Sequence, residues 1–106
     1  MMMKKERDLI KSDLLKQIKE RGLIQSYYIS LVDDYLSLWD VKNALIENIQ
    51  EEGVVIAYNN GGGQTGQKKN DAVPELSKVN GQMLKLLHEL GLRGADIGPE
   101  KEEFEL

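Results

Sequence analysis

The chain has 106 residues, 41% of them apolar and 30% charged, with a formal net charge of −4. This predicts one small globular domain that is richer in charge than average. It has no cysteine and a single histidine, His88. Disulfide frameworks, thiolate metal sites and cysteine nucleophiles are therefore excluded, and neither a metal nor a cofactor is expected.

The charge is unevenly spread. Residues 1–21 carry net +3, residues 22–67 net −5, residues 68–93 net +2 and residues 94–106 net −4. Alternating basic and acidic segments suit a protein that meets both nucleic acid and other proteins; on composition alone, solvated charge on helix faces accounts for the pattern. The opening MMMKKERDLIKSD has no apolar core behind its charges, and runs such as GVVIAY are far too short to span a bilayer. A soluble intracellular protein is expected.

Residues 5–21 read as a helix, with Ile10, Leu14, Leu15 and Ile18 on one side at three- and four-residue spacing. Lys5, Lys16 and Lys19 gather on a second side, and Glu6, Asp13 and Glu20 on a third. Gly22 stops it. The apolar stripe is narrow and lacks an aromatic residue, which suits a docking or DNA-binding helix better than a membrane-surface one.

A long helix is expected from about Ile24 to Glu52, because Ile24, Tyr28, Leu31, Tyr35, Leu38, Trp39, Leu45, Ile46 and Ile49 keep helical register without proline or glycine. Val32, Leu36 and Ile29 lie off this stripe and widen the apolar arc. An arc of that width asks for partners on two sides, and self-association supplies them. Lys42 falls within the stripe and reads as a long stem covering apolar surface with its head in water.

Gly53 ends the long helix, and VVIAY reads as a strand. The following NNGGGQTGQKKN poses the question of a phosphate loop. Gly61 and Gly66 have the required spacing, but Gln67 stands where the lysine must be, and no helix follows directly. Asparagine and glycine supply the positive φ values of a hairpin tip, so the segment is read as a turn into a short return strand, GQKKN. Asp71 to Pro74 introduce a third helix with Leu76, Val79, Met83, Leu86, Leu87 and Leu90 on one stripe, closed by Gly91 and Leu92. The remaining residues read as an acidic, mobile tail. No catalytic set emerges: Asp33 and Asp34 are adjacent on a helix and diverge, and His88 lies off the apolar face.

GLIQSYYISLVDDYLSLWDVKNAL followed by EEGVVIAYNNGGGQTGQKKNDAVPELSKVNGQMLKLLHELGL resembles the small subunits of tailed-phage terminases. The order and spacing of Tyr35, Trp39, Gly53, NGGG, KKN and LGL carry the likeness, over nearly the whole chain from about residue 5. It implies a mainly α fold with one β-hairpin: a basic N-terminal helical segment (1–22), an oligomerisation core of helix, hairpin and helix (23–92) and an acidic tail (93–106), assembled as a ring. The implied role is non-enzymatic. Such a subunit binds double-stranded viral DNA at the packaging start and regulates the large ATPase and nuclease subunit, in the cytoplasm of the infected bacterial host. No membrane or small-molecule substrate is involved.

On this reading Lys4, Lys5, Arg7, Lys11, Lys16 and Lys19 contact phosphates, with Lys68 and Lys69 on the return strand. Tyr28, Leu31, Val32, Tyr35, Leu36, Leu38 and Trp39 on the long helix, and Ile56 on the hairpin, contact neighbouring subunits. Glu100, Glu102, Glu103, Phe104 and Glu105 meet a protein partner such as the large subunit. The chain departs from many relatives in having only about 22 residues where they place a full helix-turn-helix. The alternative is a small helical adaptor that binds another protein and not DNA.

Overall fold

A computed structural model describes residues 2–92. Three helices and one hairpin follow in chain order: α1 (Met2–Glu20), α2 (Ser26–Glu52), β1 (Val55–Gly61), β2 (Gln64–Lys69) and α3 (Ala72–Glu89). The molecule measures 62 × 36 × 26 Å along its principal axes. Its length comes from α2, whose 27 residues rise about 40 Å.

Two helix ends share one device. At the end of α1 the Gly22 N–H donates to the Lys19 carbonyl (3.0 Å) and the Leu23 N–H to the Ile18 carbonyl (2.9 Å). At the end of α3 the Gly91 N–H donates to His88 (2.9 Å) and the Leu92 N–H to Leu87 (2.7 Å). Both are Schellman closures, with glycine at φ +75° and +76° and a leucine following that turns back onto the core. Residues 23–25 reverse the chain, so Ile24 lies outside α2 and is 76% exposed. The expectation that Ile24 opens the apolar stripe is corrected: helical periodicity does not register the break that Gly22 imposes.

α1 runs antiparallel to α2, because Arg7 meets Asp40 and Lys11 meets Asp33. α3 returns antiparallel along another side of α2. The core forms where all three meet: Leu14 and Ile18 from α1, Val32 and Leu36 from α2, and Leu90 and Leu92 at the end of α3. Val32 and Leu36 thus fill the chain's own core, at 0% and 1% exposure. The wide arc on the first half of α2 finds its two partners, α1 and α3, within one chain. Ile29 is left half exposed at its margin. Beyond the reach of α1, the second half of α2 has only α3, through Val79 and Met83.

β1 and β2 pair antiparallel, with Gly62 and Gly63 as the two-residue turn between Gly61 and Gln64. Both turn glycines have positive φ, as a type I′ turn demands. The register shifts between Asn59 and Gly61, where the Asn59 side chain accepts the Gly61 N–H at 2.8 Å. Tyr58 stands opposite Gly66; its ring lies so close that a Cβ there would be 2.9 Å from it. Glycine is what allows the ring to lie on the strand.

Asn70 ties three elements together. Buried at 6% exposure, its amide donates to Asn48 Oδ1 (2.8 Å) and to the Gly53 carbonyl (2.9 Å), and its Oδ1 accepts the Ala72 N–H (2.9 Å). Its backbone N–H donates to the Val54 carbonyl at 2.8 Å. The side chain caps α3 and holds the base of the hairpin to the end of α2.

Candidate nucleic-acid and assembly interfaces

The basic residues of α1 divide by direction. Arg7 Nε donates to Asp40 Oδ1 at 2.9 Å, and Lys11 Nζ lies 3.9 Å from Asp33 Oδ1. The Asp40 hydrogen bond is the main cause of a guanidinium pKa raised above its ordinary value. Both side chains fasten α1 to α2. Lys4, Lys5, Lys16 and Lys19 are exposed, and Lys5, Lys16 and Lys19 fall on the face turned away from the core. An outward cationic stripe remains for a polyanion.

Lys68 and Lys69 are exposed on β2, opposite Ile56 and Val55 respectively. Neighbouring strand residues point to opposite faces, so these two lysines do not form one site. Neither strand packs broadly against a helix, and the hairpin projects with Val54, Val55 and Tyr58 59%, 51% and 39% exposed. Ile56 is half-buried.

Of the long-helix residues expected at subunit contacts, Val32 and Leu36 are enclosed in the core, and Tyr28, Leu31 and Tyr35 pack against it. Leu38 and Trp39 are half-buried. Burial raises the Tyr35 phenol pKa. The Tyr28 phenol is raised chiefly by its hydrogen bond with Tyr27, whose ring centroid is 4.5 Å away. Glu100, Glu102, Glu103, Phe104 and Glu105 lie outside the described residues.

Sequence reasoning missed the apolar surface that stays open. Tyr27 and Val41 are 58% and 45% exposed and lie on one flank of α2 with Leu38. They border a groove of about 480 Å³ between α2 and α3, lined by Asp34, Ser37, Leu38, Lys85, Leu86 and Glu89. On the other flank of α3, Leu84 is 58% exposed beside a second hollow with Tyr35, Lys42, Asn80, Met83 and Leu87. The signal in the sequence was the position of Tyr27 and Val41, a third of a turn off the stripe. Asp33 and Asp34 diverge as expected, one toward Lys11 and the other into the first groove.

Among the described residues no group of three or more His, Cys, Asp or Glu is arranged to hold a metal ion, and no helix is long and apolar enough to cross a membrane. His88 is exposed in the last turn of α3.

No curated protein and no solved structure gives a significant match to the chain. A family model described as phage terminase, small subunit, matches residues 12–98, from the middle of α1 through the hairpin and past α3. The matched span covers well over half of the sequence, so the chain belongs to the phage terminase small-subunit family, whose role lies in phage DNA packaging.

Proposed function

We propose that this chain is a non-catalytic packaging factor that assembles into a homo-oligomeric ring, binds viral DNA at the packaging start and regulates the large ATPase and nuclease subunit in the host cytoplasm. The family match over residues 12–98 carries the reading. The surfaces described above support its parts. Lys5, Lys16 and Lys19 lie within 14 residues of helix, about 21 Å, a length that reaches several phosphates of a duplex. Each such contact is weak, and a ring sums them.

The apolar surface supports self-association of a particular kind. Tyr27, Leu38 and Val41 lie on one flank of the α2–α3 pair and Leu84 on another, with the projecting hairpin at the far end. Two unlike surfaces on one chain favour a head-to-tail contact, which closes into a ring when the rotation allows, over a two-fold dimer. The acidic segment around Phe104 is assigned to contact with the large subunit.

Charge reversal on the outward stripe tests the DNA assignment. Lys5→Glu with Lys19→Glu should weaken duplex binding and reduce the slope of log K against log salt by roughly 0.9 for each phosphate no longer neutralised. Unchanged affinity and slope would remove α1 from the DNA interface. An unmodified chain that binds no duplex at low salt and high protein concentration would favour the protein adaptor instead.

A further inference from the structure

A valley runs between α1 and α3. One end is lined by Asp13, Leu14, Lys16, Gln17, Leu87 and Leu92. The other is the hollow beside Leu84, which shares Leu87 and adds Lys42. Its floor is apolar and a lysine stands toward each end. Among the described residues neither Lys16 nor Lys42 forms an ion pair, although Lys42 is half-buried. A half-buried lysine with no carboxylate partner calls for an anion.

We propose that the valley is the docking site of the chain's own residues 100–106, EKEEFEL, with Phe104 and Leu106 on the apolar floor and glutamates against Lys16 and Lys42. Three observations select this occupant. The first is where the described chain ends: Leu92 itself lines the valley mouth, so the segment that follows begins there. The second is length. Asn80 and Leu92, at the two ends, are 12 residues apart along α3 and its cap, about 18 Å. Seven extended residues span about 23 Å. Residues 93–99 intervene and contain Gly94, Gly98 and Pro99, which suit a reversal.

The third is charge. Residues 100–106 hold four glutamates and one lysine, and the valley sets Lys16 and Lys42 against Asp13 alone. The groove on the opposite flank of α3 offers Lys85 beside Asp34 and Glu89, and it repels the same segment. Tethering so close to the site gives a high effective concentration. A seated segment also covers Lys16, so a partner that draws it away returns Lys16 to the outward stripe. That consequence rests on the DNA reading; the docking does not.

Carbodiimide cross-linking of the full chain, with peptide mass spectrometry, tests the docking without DNA. The Lys11–Asp33 pair at 3.9 Å is the internal control. Links from Lys16 or Lys42 to Glu102, Glu103 or Glu105 are expected, and Phe104→Ser should lower their yield severalfold while the control link persists. In chains labelled with ¹⁵N and unlabelled chains refolded together, the tail links should join peptides of one isotope. A control link without tail links overturns the proposal, as do tail links spread evenly over all lysines. Mixed-isotope links in statistical proportion overturn it in favour of a neighbouring copy's tail.

Discussion

At the scale of single residues, Asn70 has the largest role that the sequence did not advertise. KKND reads as a polar strand running into a helix, and Asn70 was expected only as the end of the hairpin. Its burial depends on Asn48 and Gly53, 22 and 17 positions away, so no local pattern reveals it. Asn70→Ala should cost about 2 kcal/mol, because the Ala72 N–H and the Gly53 carbonyl lose their partner. Urea unfolding with an unchanged m-value is the check. Asn70→Asp should also destabilise: it keeps the acceptor for Ala72 but sets a carboxylate against the Gly53 carbonyl. Tyr35 gives a second test. Burial raises its pKa, so folding favours the neutral phenol. Its contribution to stability is intact below about pH 10, the ordinary tyrosine value, and is lost as pH rises through the raised folded value. In an absorbance titration Tyr35→Phe should remove part of the late-ionising tyrosine signal and soften the alkaline loss of stability.

At the scale of elements, the helix ends were legible because a positive φ leaves a plain mark. Gly22 and Gly91 stand where an achiral residue must, each followed by leucine, and both close their helices as read. Gly22→Ala should cost about 1 kcal/mol through backbone strain alone, since nothing lies within 4 Å of the added Cβ; thermal unfolding reads it. The hairpin was legible for the same reason, its tip falling at Gly62 and Gly63. The partition of α2 was not. Periodicity placed Val32 and Leu36 on the margin of the stripe, whereas α1 folds back and makes them central. Periodicity identifies which residues share a face, but which face receives which helix depends on tertiary contacts such as Arg7 with Asp40. The same contact explains why the basic residues of α1 do not act as a set: Arg7 and Lys11 turn inward, and the outward stripe is left to Lys5, Lys16 and Lys19.

At the scale of the molecule, fold and assembly draw on different residues, and substitutions should separate them. Leu36→Ala removes a fully buried side chain and should destabilise the chain by about 3 kcal/mol. Tyr27→Ser with Val41→Ser removes exposed apolar surface; it should leave helix content unchanged and lower the native mass. The three-helix end closes its own core, and the two-helix end with its projecting hairpin does not. Ring assembly is what would join these surfaces into one function, and native mass decides it, by light scattering across an eluting peak over a range of protein concentrations. One closed assembly of many subunits, unchanged in mass on dilution, is expected. A monomer at every concentration would contradict the ring and would leave the open flanks of α2 and α3 to a different protein.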